Sequence, residues 1–179
     1  MMTKIFITGS KEIDKLSLAK KIISKDDDLS ISQTFTNEEE YKDSVGDDYM
    51  YYLDPKDIDL AYKNNAFLYI SAHDLLYHGI TLDSFYNEDI FCMNLSEFND
   101  IPDYIFNYND VLVIWLDTKS KKRNIKDEDV MASKYMIEKL DKINVMYFLD
   151  EDYDDIVDVI MQYLMGDPDT RQKLLDENY

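Results

Sequence analysis

Glycine and proline are scarce in this 179-residue sequence, four of the first and three of the second. So few glycines leave few places where backbone can close directly on a ligand. Arginine is scarcer, with Arg123 and Arg171 alone, which leaves little material for bidentate clamping of phosphate or carboxylate. The single cysteine, Cys92 in the apolar stretch DIFCMNL, excludes an internal disulfide and is expected to be a reduced core thiol. No apolar run reaches the roughly 18 residues of a membrane span. The first residues lack the apolar length and small-residue cleavage site of a secretory leader. A soluble, cytoplasmic protein is the expectation. The two histidines, His73 and His78, are wrongly spaced for one helical face and have no cysteine nearby, and the acidic run at Asp150, Asp152, Asp154 and Asp155 lacks the glycine and closing glutamate of a calcium loop. No metal and no cofactor are expected.

Acidic residues are abundant. Thirty-eight Asp and Glu against nineteen Lys and Arg give a formal charge of −19 and a pI near 4.3. A nucleic-acid binder or a binder of acidic membranes would carry the opposite sign. The carboxylates come in runs at 26–28, 38–40, 47–48 and 150–155. They read either as solvated loops or as a surface built to meet a basic protein. Fifteen tyrosines, many beside carboxylates as in EEEYKD and DEDYDD, read either as packing at element edges or as contact area with a polar tip. The partner-binding candidates are therefore Glu38, Glu39, Glu40 and Tyr41, and Asp150, Asp152, Tyr153, Asp154 and Asp155. Richness in Asn, Asp, Lys, Ile and Tyr matches an AT-rich genome, with a phage or other virus as the expected source.

At 45% hydrophobic residues, the chain can bury a sizeable core in one domain. Continuous apolar runs at Lys4–Thr8, DIFCMNL, DVLVIWLD and INVMYFLD predict buried strands, with Trp115 in the core. ISQTF, YMYYL and FLYIS predict further extended segments. Helices are predicted from Leu16 to Ile23, over DPKDIDLAYKNNAF with Asp54 as N-cap and an apolar face of Ile58, Ala61 and Tyr62, over TLDSFYN, and from Asp155 to Met165 on Ile156, Val159, Ile160 and Leu164. A last short helix is expected in the tail. Buried strands alternating with helices predict an α/β fold: a parallel sheet with helices on both faces.

The stretch FITGSKEIDKLSLAKKI places a strand, a loop and a helix where a phosphate-binding loop would stand. Such a loop reads G-x-x-x-x-G-K-[ST], with glycines for backbone approach, lysine for the β/γ oxygens and a hydroxyl for Mg²⁺. Gly9 and Lys15 fall on the first glycine and the lysine. Asp14 replaces the inner glycine, Leu16 the hydroxyl, and Ser17 comes one position late. The alternative is an ordinary strand-to-helix turn with Lys15 solvated.

The order of pieces resembles the guanylate kinases over nearly the whole chain. SISQTFT looks like that family's S-V-S-x-T-T-R segment, GDDYMYYLDPKDIDLAYKNNAFLYI like its G-x-D-Y-x-F-V-S…N-x-F-L-E block, and LYHGIT like Y-Y-G-T. INVMYFLDEDYDDIVDVI is similar to the closing D-x-V-I-V-N-D segment. The resemblance implies a P-loop fold with core 1–33, 83–118 and 143–165, a small monophosphate-binding-type subdomain 34–82, a shortened lid 119–142 and a tail 166–179. It also implies phosphoryl transfer from ATP to a nucleoside monophosphate, which rests on positioning and charge neutralisation. The departures fall on that chemistry. Thr36 stands for one monophosphate-binding arginine, acidic NEEEY for another, Tyr69 for the base-reading glutamate, His78 for the second tyrosine of Y-Y-G-T, and Asn94 and Ser96 for the acidic pair. Between VIWLDT and the second lid helix only KSKK remains, where Lys121 and Lys122 offer charge but no fork. The relic nucleotide site is then Gly9, Lys15, Ser17, Ser32, Tyr49 or Tyr51, His78 and Thr81. The preferred expectation is a scaffold that has lost catalysis and binds a protein. An active nucleoside monophosphate kinase and a nucleotide sensor are the alternatives.

Overall fold

The computed structural model describes residues 3–42, 49–73, 75–108, 110–118, 143–149 and 152–178. The lid 119–142, Asp47, Asp48 and Asp150 lie outside the described residues. Strand β1 (Lys4–Gly9) leads into helix α1 (Lys15–Ile23), followed by β2 (Thr34–Thr36), a 3₁₀ turn (Glu39–Tyr41), β3 (Met50–Tyr52) and α2 (Pro55–Lys63). Next come β4 (Phe67–His73), β5 (Leu76–Thr81), α3 (Leu82–Asn87), β6 (Ile90–Cys92), α4 (Leu95–Asn99) and α5 (Tyr104–Tyr108). Strands β7 (Val111–Asp117) and β8 (Asn144–Leu149) precede α6 (Tyr153–Met165) and α7 (Pro168–Glu177). No described helix is long and apolar enough to cross a membrane.

The predicted parallel sheet is present. Its strands run β6-β1-β7-β8, every neighbour parallel. Alternation along β1 sends Ile5 and Ile7 to one face and Phe6 to the other. The first face packs on Leu18, Ala19 and Ile22 of α1 and on Ile156, Val157 and Ile160 of α6. The second packs on Phe85, Leu95, Phe98 and Ile105 from α3, α4 and α5. Helices thus cover both faces.

A second sheet, β3-β2-β5-β4, was not foreseen as such. It is mixed: β2 pairs β3 in parallel, whereas β5 pairs both β2 and β4 antiparallel. Its buried side chains Leu68, Tyr69 and Ile80 join the same apolar cluster as Phe6 and Phe91, so the two sheets share a core.

Local chemistry accounts for most boundaries. Asp54 caps α2 by accepting from the Lys56 amide, with Pro55 at the first turn. The expected apolar face of α2 shrinks to Ile58 alone, and Tyr62 is 66% exposed. Helix α6 starts two residues earlier than predicted because Asp152 accepts from the Asp154 amide and caps it; its buried seam is Ile156, Val157, Ile160 and Tyr163. Trp115, expected in the core, is only half-buried and meets the Tyr147 ring edge-on at 5.2 Å. Cys92 is also half-buried, its thiol facing the Lys15 carbonyl at 3.6 Å, and burial pushes its pKa to about 12, so it is held as a thiol.

Candidate functional site

The loop after β1 is shaped by two side chains that a phosphate loop would not have in these positions. Asp14 caps α1: its Oδ1 accepts from the Ser17 amide at 3.0 Å and its Oδ2 from the Ser17 hydroxyl at 2.6 Å. Those two bonds hold the carboxyl below the usual aspartate range. A carboxylate therefore stands at the helix N-terminus, the position that would otherwise attract an anion. Ser17 is consumed by the same cap.

Lys15 is not solvated, contrary to the simple-turn expectation. It is 7% exposed, and its Nζ donates to the carbonyls of Ser10 at 2.8 Å and Ile13 at 3.0 Å. Burial lowers its pKa, with the Cys92 and Glu97 side chains acting the other way. Gly9 has a reason independent of any ligand: a Cβ there would lie 2.5 Å from the Leu116 carbonyl oxygen of the adjacent strand. Leu16 packs partly against the core.

On the second sheet the expected monophosphate residues divide. Tyr51 and Thr81 lie near each other: burial raises the Tyr51 phenol, and the Thr81 side chain acts the other way. Thr81 also caps α3, its Oγ1 accepting from the Ser84 amide at 3.1 Å. Tyr49 goes elsewhere: its backbone has φ 54°, and the Lys20 ammonium of α1 sits 5.5 Å from its ring centre. Of the two tyrosines left open by sequence, Tyr51 is the one beside Thr81. Ser32 is buried next to β6, with its amide donating to the Ile90 carbonyl. Thr36 is also buried, its hydroxyl oxygen accepting from the Glu38 amide at 3.2 Å.

His78 does not stand free. Its Nε2 lies 2.7 Å from Oε1 of Glu97, a residue that sequence reasoning missed. Glu97 is 8% exposed and also accepts from the Asn94 amide at 2.7 Å, forming the capping box of α4. The Asn94-x-x-Glu97 spacing was the available signal. Burial opposes ionisation of Glu97, but the bonds from His78 and Asn94 outweigh it, and its carboxyl sits below the usual glutamate range. The pair joins α4, beside the parallel sheet, to β5 of the second sheet. Tyr69 is buried nearby, where desolvation first and the charge of Glu97 second push its phenol well up.

The two acidic clusters differ. Glu39 and Glu40 are exposed on the 3₁₀ turn, Glu38 and Tyr41 are half-exposed, and Glu39 lies 3.7 Å from Lys42. The cluster at 152–155 has internal duties. Asp152 caps α6, Asp154 pairs with Lys21 of α1 at 2.5 Å, and the Tyr153 hydroxyl donates to the Asp14 carbonyl at 2.8 Å. Among the described residues of this run, Asp155 is exposed and takes no such part. Arg171, the arginine among the described residues, donates to the Gly166 and Leu164 carbonyls, lies over the Tyr163 ring at 5.2 Å and faces Asp110 at 3.5 Å. These contacts knit the tail to α6 and to the start of β7. Among the described residues no three His, Cys, Asp or Glu side chains converge to hold a metal ion.

Two sheets sharing a core, a loop between β1 and α1, and a capped helix after the last strand can be set against known structures. The guanylate kinase from Anaplasma phagocytophilum superposes with a TM-score of 0.59 over 98% of this chain and 94% of that one, at 12% identity. The chain has a guanylate-kinase-like fold. No protein-family model matches the sequence, and no curated protein matches it. At this identity the likeness carries the fold and not the activity. In this guanylate-kinase-like fold the loop after β1 holds its own carboxylate, and β5 is tied to α4 by His78 and Glu97.

Proposed function

We propose that this protein is a non-catalytic, guanylate-kinase-like binding protein that engages a protein with a basic face. The observation that carries this is the Asp14 carboxylate seated on the α1 N-terminus, with Lys15 turned onto the loop's own carbonyls. A phosphate entering there would meet a negative charge and lack the lysine. Loss of one preorganised donor to a developing charge typically slows a reaction by about 100-fold or more, and here several are replaced together. Should the source be viral, occupation of a host protein's nucleic-acid-binding face by charge mimicry is the natural form, with inhibition as its result.

Two measurements test the proposal. Isothermal titration with Mg-ATP should give no affinity tighter than millimolar. Micromolar binding abolished by Lys15→Ala overturns it. Coupled assays across nucleoside monophosphates should stay at background, whereas turnover approaching the roughly 1–100 per second of kinases establishes an enzyme instead. One observation favours a nucleotide sensor as second reading: Tyr51 and Thr81, two of the expected monophosphate residues, stand near each other. Saturable binding of a monophosphate without turnover, lost in Tyr51→Phe, would establish it.

The surface part of the proposal is tested through Glu38, Glu39 and Glu40, which carry charge without a cap to lose. Changing all three to Gln should leave the melting temperature nearly unaltered and slow association with the partner, while dissociation stays nearly constant. The cluster at 152–155 is less clean. Asp152→Ala removes a helix cap at a cost of about 1 kcal/mol, so any binding loss there needs a stability control.

A further inference from the structure

We infer that the turn between β4 and β5 is a contact point whose Leu75 side chain enters an apolar pocket bordered by lysines or arginines on the basic partner. This deepens the preceding reading and rests on it. Leu75 is 83% exposed, more than any other large apolar side chain among the described residues, and Leu76 beside it is exposed too. His73 pairs with Leu76 across the two strands, so the turn between them is tight. Leu75 holds φ 69° there, a left-handed conformation that glycine, asparagine and aspartate adopt readily and leucine does not. The fold thus bears a strained backbone and a wetted leucine at one position, and that side chain returns almost no buried apolar area to it.

The turn is held in place all the same. Asn37, just past β2, donates from Nδ2 to the Leu75 carbonyl at 3.1 Å and accepts on Oδ1 from the Tyr77 amide at 2.6 Å. Its own amide donates to the Tyr77 carbonyl at 3.3 Å. These bonds from the neighbouring segment fix the backbone from which Leu75 projects, so docking has less freedom to remove. Asn37 also joins the turn to a run of carboxylates. Glu38 follows it directly, and Glu39 and Glu40 are exposed on the 3₁₀ turn. Lys42 lies 3.7 Å from Glu39 and over the Tyr52 ring at 5.5 Å. In the sequence, Asp43, Asp47, Asp48 and Asp74 add charge of the same sign, and residues 43–48 hold no base. An apolar centre with a polar border is the usual anatomy of an interface. A second copy at −19, or an anionic membrane, would be repelled. A pocket with a cationic border is the complement.

The test uses a defined pocket of that chemistry. Beta-cyclodextrin with one rim converted to amines is titrated into the full chain and followed by NMR, with unmodified beta-cyclodextrin as the neutral control. The aminated ring should shift the Leu75 and Leu76 methyl signals first. It should bind there about three- to ten-fold tighter than the neutral ring, since exposed charge pairs contribute a few-fold each. Changing Glu38, Glu39 and Glu40 to Gln should remove that preference. Leu75→Gly should abolish the shifts and raise the melting temperature by about 2–4 °C, because glycine relieves the left-handed backbone. A lowered melting temperature would make Leu75 a structural side chain, and shifts led by the exposed Tyr62 or Tyr86 would put the contact elsewhere; either overturns the inference. Equal binding of the two rings, or self-association that Leu75→Gly removes, also overturns it. Association with the basic partner that needs Glu38–Glu40 but not Leu75 refutes the turn's role and leaves the preceding reading standing. Binding of the aminated ring at the turn with no basic protein captured refutes the partner reading and leaves the contact point standing.

Discussion

Phe6→Ala should lower the unfolding free energy by about 3–5 kcal/mol, the cost of deleting a fully buried aromatic side chain. Phe6 is 0% exposed on β1, an inner strand of the parallel sheet. Its ring centre lies 5.0 Å from Phe91, 5.7 Å from Phe98, 6.2 Å from Phe106 and 6.3 Å from Phe85. Four rings from β6, α3, α4 and α5 therefore lose a shared neighbour, and none can move in without leaving another gap. Domains carry about 5–15 kcal/mol in all, so this one change removes a large fraction. For a chain of this length each kcal/mol moves the melting temperature by about 2–4 °C, and a fall near 10 °C is expected. Phe6→Leu should cost clearly less, because more of the volume is kept. Urea denaturation of the three proteins decides; a loss under about 1 kcal/mol for the alanine variant would mean that the aromatic cluster is not the centre of the core.

Glu97→Ala should cost about 2–3 kcal/mol, because it strands His78 and leaves the Asn94 amide without its acceptor. The figure stays below that of a fully buried pair since the His78 side chain is 33% exposed. Its pH dependence has a definite sign. A carboxyl whose pKa is depressed on folding contributes stability that is complete above its unfolded value, about 4.3. That contribution disappears as pH falls through the lower, folded value. The wild-type protein should thus lose stability on acidification more steeply than Glu97→Ala, and the two curves should converge at low pH. Parallel acid limbs would show that Glu97 is not held ionised by its neighbours.

The parallel sheet was legible because β1, β7 and β8 are built on near-continuous apolar runs, the pattern of strands buried on both faces. The antiparallel pairing of β4 with β5 was not. Its turn passes through Leu75 at φ 69°, where a readable hairpin would carry Asn-Gly or Asp-Gly. Helices α4 and α5 have five residues each, too few to display a helical period. At the site, Asp14 was readable as a charge in the wrong place, and its role as a cap follows from Ser17 three residues on. Glu97 was readable as a cap of α4 from its spacing to Asn94, but its pairing with His78 forms only through tertiary packing. Tyr49 and Tyr51 could not be told apart by alternation, since the positive φ at Tyr49 breaks the strand just before it begins.

Residues just after helix α7 reach back to the parallel sheet. The Asn178 carbonyl accepts from the Tyr147 amide, in the middle of β8. That strand is one margin of the parallel sheet, and the opposite margin, β6, is three residues long. A visiting polypeptide that tried to extend this sheet would find the Tyr147 donor already taken by the tail on one side and only three residues to pair with on the other. Backbone pairing recognises almost any extended sequence, whereas side chains discriminate. At that point of the sheet the tail takes up a backbone donor that strand addition would need.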